Sequence, residues 1–163
     1  PFFDEHRLLL GFQSRKLFEK SDSQKYLSMF PNGSSLYGMD KVDFSMEHLF
    51  VLEGPIDAFF IQNGVATTGI KPNKKIDKHL FELSKQFKLV FIYDNDMKTN
   101  RDVLKAALNR AKQGGYVYVW DSDCRYKDLN EWCVKDRING IPHDVIIRQM
   151  TNNYLKLSNA VLK

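Results

Sequence analysis

The stretch 48-HLFVLEGPIDAFFIQNGVATTG-69 decides how the chain is read. Residues 48–53 are an apolar run of strand length and composition that stops at Glu53. Gly54 and Pro55 then punctuate the chain, and Pro55 sits where a helix takes proline best, at its first position. The sequence therefore predicts a helix over 55–63, stopped by Gly64, and a second strand at 65–68.

The same alternation continues. A helix is expected over 75–87, with Ile76, Leu80, Leu83 and Phe87 on one face, then a strand at 88–93. A further helix follows over 100–113, closed by Gly114-Gly115, and a strand at 116–120. Strands separated by short helical segments imply right-handed crossovers. The fold class is α/β, a mostly parallel sheet covered by helices on both faces. Upstream, 2–13 reads as a hairpin around Asp4-Glu5-His6-Arg7, and 14–47 as irregular. Downstream, 128–134 and 143–150 read as helices, followed by a polar tail. The chain divides accordingly into a small subdomain (1–47), an α/β core (48–121) and a helical extension (122–163).

Composition sets the outer bounds. A chain of 163 residues, 43% hydrophobic and 27% charged, can bury one good core. Its apolar runs are too short to span a bilayer as a helix, and there is no signal-peptide pattern. The first residue is Pro1, which reads as a segment cut from something longer. Cys124 and Cys133 fit no zinc-ligand spacing and read as two reduced thiols. The net charge of +4 is concentrated late, with eleven Lys/Arg against seven Asp/Glu in 101–163. That balance is compatible with nucleic-acid binding without requiring it.

Chemistry is expected where carboxylates end strands, because ligands of open parallel sheets bind beyond the strands' carboxyl ends. Glu53 ends one strand and 94-DND-96 ends another. In extended backbone Asp94 and Asp96 project the same way. Neighbouring strands would bring all three acids to one rim. Carboxylates so crowded repel, and an oxygen-only set suits Mg²⁺ or Mn²⁺ rather than zinc. Asp57 reads equally well as an acid favoured by a helix N-terminus.

These residues resemble the Toprim family, in which a strand ends in Glu-Gly, an acidic helix start follows, and a later strand ends in DxD. The matching pieces are VLEGPIDAFF (51–60), GVATTG (64–69), VFIYDND (90–96) and 127-KDLNE-131. Upstream, LLLGFQSRKL (8–17) and QKYLSMFPNGSSLYGM (24–39) resemble the lead-in of DnaG-like DNA primases, which other Toprim proteins lack. The resemblance covers roughly residues 1–135, with a lean toward phage members.

The resemblance implies a DNA-directed RNA polymerase that makes short RNA primers on single-stranded DNA by Mg²⁺-dependent nucleotidyl transfer. It implies Glu53, Asp94 and Asp96 as principal metal ligands, with Asp57 and Asp128 in support. It assigns Arg15, Lys25, Tyr26, Lys98, Arg101 and Lys127 to nucleotide and nucleic-acid binding. The implied partners are ribonucleoside triphosphates, template, RNA–DNA hybrid and a replicative helicase reached through regions outside this chain. The implied compartment is the cytoplasm of a bacterium or phage-infected host. A metal-dependent Toprim nuclease and a non-catalytic nucleic-acid-binding module are the alternatives. Three positions depart from the family pattern. Asn32-Gly33-Ser34-Ser35 stands where a second basic residue is usual, Met97 to Arg101 replaces an Ala-Gly-Arg run, and Asn130 replaces an Asp.

Overall fold

Strand β4 (His48–Leu52) is buried on both faces, and its neighbours follow from that. In the computed structural model, which describes residues 1–16 and 26–161, it lies between β5 (Gly64–Ala66) and β6 (Lys88–Ile92), parallel to both. Strand β7 (Tyr116–Tyr118) adds in parallel to β6, and a two-residue strand, β8 (Met150–Thr151), closes the far edge antiparallel. The sheet order is β5-β4-β6-β7-β8. The mostly parallel sheet is as the sequence predicts; the antiparallel edge strand was not foreseen.

Alternate residues feed two cores, as a sheet covered on both faces requires. Leu49, Val51, Val65, Leu89, Phe91 and Val117 face one side. There they meet α1 (Lys74–Leu83) through Ile76, Leu80 and Leu83, and α2 (Arg101–Lys112) through Val103, Ala107 and Ala111. Each helix starts on an asparagine whose side chain accepts a backbone N–H, Asn73 from Ile76 and Asn100 from Asp102. Phe50, Leu52, Val90, Ile92 and Tyr118 face the other side. Against them pack α3 (Leu129–Asp136), through Leu129 and Cys133, and α4 (His143–Gln149), through Ile146.

Further elements differ from the sequence reading. The expected helix over 55–63 is a single 3-10 turn, Asp57–Phe60. Ile61 is already extended (φ −137°) and Asn63 is left-handed (φ 57°), so the chain turns into β5 at Gly64 after one turn. The nominally irregular 14–47 contains β3 (Tyr26–Met29), antiparallel to β2 (Leu9–Arg15), which in turn pairs with β1 (Phe2–Phe3). The expected hairpin over 2–13 is therefore present, as two strands of a three-stranded sheet. The polar tail holds α5 (Tyr154–Val161), which docks on α2 through a fully buried Leu157.

That docking yields a prediction. Leu157→Ala leaves a cavity beneath α5 and lowers stability by about 2–5 kcal/mol in urea unfolding. A loss below about 1 kcal/mol would show that α5 does not hold the core together.

Candidate active site

The parallel register sets Leu52 beside Ile92, so β4 and β6 end together and hand Glu53 and Asp94 to the same rim. The two acids touch: the Asp94 backbone N–H donates to Glu53 Oε1 at 3.2 Å. On the other flank the Gly69 N–H donates to the Glu53 carbonyl at 3.0 Å. The turn between is tight, with Thr68 at φ 62° and Gly69 at φ 146°, conformations an L side chain adopts at a cost.

Asp57, on the 3-10 turn, accepts the Asn130 N–H at Oδ1 (3.1 Å). Asp128 caps α3 by accepting the Glu131 N–H (2.7 Å). Asn95, the middle residue of the DND triplet, fastens the segment after β7. Its Nδ2 donates to the carbonyls of Cys124 (3.1 Å) and Tyr126 (2.9 Å), and its N–H to that of Lys127 (2.7 Å). Acids from three separate segments are thereby brought to one place.

They line a cavity of about 510 Å³. Glu53, Asp57, Asp94, Asp128 and Lys127 form its charged side, while Tyr37, Ile56 and Phe59 give an apolar wall. Arg15 and Tyr26 border it from the small sheet, the Arg15 guanidinium carbon 5.8 Å from the Tyr26 ring centre. Asp96 lies apart from that lining. Its Oδ2 accepts from Asn100 Nδ2 (2.9 Å), and its Oδ1 is buried without a protein partner. Lys98 and Arg101 are exposed on the turn into α2 and do not line the cavity, and Lys25 lies outside the described residues.

The crowding registers in the carboxyl groups. Burial, then the Asp94 and Asp96 charges, pushes Glu53 up to about 7, against the pull of the Asp94 N–H. Burial, then Asp128 and Asp94, pushes Asp57 up to about 6, against the pull of the Asn130 N–H. Burial also raises Asp94, although the Lys127 ammonium beside it acts in the opposite sense.

Such groups fit a hard divalent cation by their chemistry: oxygen donors only, mutually repelling, and one buried carboxylate oxygen with no partner. Their present placement does not gather them round a point. Among the described residues no three His, Cys, Asp or Glu side chains are grouped so as to hold a metal ion. Each acid instead has an oxygen committed to a neighbour within the chain.

Sequence reasoning did not find Gln13, Tyr37, Ile56, Phe59 or Asn95. Tyr37 falls inside the quoted LYGM segment, so its neighbourhood was flagged; the exposed Phe59 carries no local signal.

The sequence matches no protein-family model. It is 30% identical over 156 residues to the DNA primase of Enterobacteria phage T4, covering 94% of this chain and 42% of that protein. It is 29% identical over 120 residues to the DNA primase of Lactococcus lactis subsp. lactis (strain IL1403), covering 65% of this chain and 18% of that protein. The chain thus spans less than half the length of these relatives. In fold it resembles the Aquifex aeolicus primase structure containing zinc-binding and RNA polymerase domains. The TM-score is 0.65 at 18% identity, over 98% of this chain and 44% of that one. Sequence relatives and fold agree: the chain is similar to part of two DNA primases and carries a DnaG-like primase domain.

Proposed function

We propose that this chain is the nucleotidyl-transfer domain of a primase, joining ribonucleotides into short primers along single-stranded DNA. The observation that carries this reading is the meeting of Glu53 and Asp94 at the ends of adjacent parallel strands, in one cavity with Asp57, Asp128, Arg15 and Lys127. A polymerase needs negative oxygens and positive groups within one cavity, because the substrate is a polyanion that must be held near a nucleophile.

Glu53, Asp94 and Asp96 are the residues that would hold Mg²⁺ or Mn²⁺, with Asp57 and Asp128 behind them. Bound there, the ion supplies positive charge for the triphosphate and favours ionisation of the attacking hydroxyl. The chain's own contribution is orientation. The Asp94 N–H fixes the Glu53 carboxylate, and the Asn130 N–H fixes Asp57. Arg15 and Tyr26 offer a cation and a ring at the cavity border, suited to phosphate and base. Lys127 lines the cavity, and the exposed Lys98 and Arg101 extend the basic surface for template and RNA–DNA hybrid, a role Lys25 would share. A helicase would engage regions outside this chain, and the working compartment would be the cytoplasm of a bacterium or infected host. No helix among the described residues is long and apolar enough to cross a membrane.

The test is synthesis on a single-stranded template by an active primase bearing this domain, supplied with ribonucleoside triphosphates and Mg²⁺ or Mn²⁺. Template-dependent oligoribonucleotides are expected, with template binding that weakens steeply as salt rises. DNA nicking without any triphosphate, and no oligomer, would assign the site to hydrolysis instead.

A further inference from the structure

Lys127 stands against two of the carboxylates. Its Nζ is 3.4 Å from Asp94 Oδ2 and 3.9 Å from Asp128 Oδ2, on a side chain 67% exposed. The backbone beneath it is held. Its N–H donates to Glu131 Oε2 (2.6 Å), its carbonyl accepts from the Asn95 N–H (2.7 Å), and Asn95 Nδ2 clasps the two residues Cys124 and Tyr126. A fixed segment therefore presents an exposed ammonium to the acidic rim. The attraction of Asp94 and Asp128 raises the Lys127 pKa, so it stays charged at neutral pH.

These contacts are loose. Distances of 3.4 and 3.9 Å on an exposed stem describe an ion pair that is easily exchanged. They nevertheless place a positive charge on an Asp94 oxygen that a divalent cation would need, and Lys⁺ and a dication repel when they share one carboxylate. A lysine has three donors and no acceptor, so once off Asp94 it is suited only to another anion. Within the same cavity that anion is the polyphosphate of the substrate.

We infer that Lys127 is an internal counter-ion: it occupies Asp94 and Asp128, gives way when a divalent cation binds, and is thereby released to the nucleotide's phosphates. The inference rests on the nucleotidyl-transfer reading and adds to it a residue that opposes metal binding while favouring nucleotide binding. It also accounts for carboxylates that converge on one cavity without grouping round a point.

The experiment is titration of the 163-residue chain with Mn²⁺ alone, followed by paramagnetic resonance of free Mn²⁺ and by calorimetry, then with ATP in the presence of Mn²⁺. Removing the ammonium in Lys127→Ala or Lys127→Gln is expected to tighten Mn²⁺ binding about three- to tenfold and to weaken ATP binding about tenfold. Lys127→Arg should lie near the unaltered chain in both. Lys156→Ala, which removes the same charge from α5, reports any effect of net charge alone. Mn²⁺ affinity that stays constant or falls in Lys127→Ala, or that rises equally in Lys156→Ala, overturns the inference and leaves the nucleotidyl-transfer reading standing. Absence of Mn²⁺ binding in every version of the chain overturns both. Lys127 is exposed, so circular dichroism of the variants should match the unaltered chain.

Discussion

Primer synthesis by an active primase bearing this domain is expected to fall about a thousandfold when Asp94 is replaced by asparagine. Asparagine has the shape of aspartate without its charge. The link from the Asp94 backbone N–H to Glu53 is retained, because it does not involve the replaced side chain. What disappears is the oxygen that faces Lys127 and borders the cavity. An effect of this size on rate, with far-UV dichroism and melting temperature little changed, is the signature of a group needed for chemistry rather than for folding. Synthesis within threefold of the unaltered enzyme would remove Asp94 from the site.

The second large effect is on stability. Glu53 ionises near 4.5 when unfolded and near 7 when folded. Below pH 4.5 it is protonated in both states and costs nothing. Between 4.5 and 7 the unfolded chain releases the proton while the folded chain keeps it, so each step upward in pH favours unfolding. Above 7 both states are ionised and the loss is complete. Asp57 adds a loss of the same sign between its ordinary 3.8 and about 6. In chelator, Glu53→Gln should therefore be more stable than the unaltered chain at pH 7.5, by up to about 3 kcal/mol. The corresponding rise in melting temperature is about 6–12 °C. The advantage should vanish near pH 4.5. An advantage that is the same at both pH values would refute the cause given for it. A divalent cation that binds the charged form should restore stability to the unaltered chain, and not to the glutamine variant.

The parts of the fold that were legible are those where one physical signal dominates. Buried strands β4 and β6 are unbroken apolar runs, and α1 and α2 carry apolar residues at helical spacing beneath an asparagine cap. Elements fixed by tertiary contact were not legible. The exposed residues of β3 are a strand because β2 pairs with them. Residues 55–63 have a helical look, yet β5 must begin at Gly64 to lie beside β4, which leaves length for one 3-10 turn only. The helix α5 was passed over as a polar tail although it carries Leu155 and Leu157; among its described side chains Leu157 is fully buried, while Leu155 stays exposed. The site divides in the same way. Acids at strand ends could be found from order and alternation, and the adjacency of β4 and β6 brings Glu53 and Asp94 into contact. The neighbours that shape the cavity, Tyr37, Phe59 and Gln13, come from segments with no common pattern and meet only once the chain is folded. Asn95 escaped notice because a DxD reading draws the eye to the acids and not to the residue between them.

The two borders of the large sheet bear on how this domain associates with others. Along β5, Tyr37 exchanges two backbone hydrogen bonds with Ala66, and along β7 the two residues of β8 run against the direction of the other strands. Neither side offers a long open ladder for a foreign strand to join. A protein that joins the domain along this larger sheet must therefore read side chains and loops instead of extending it.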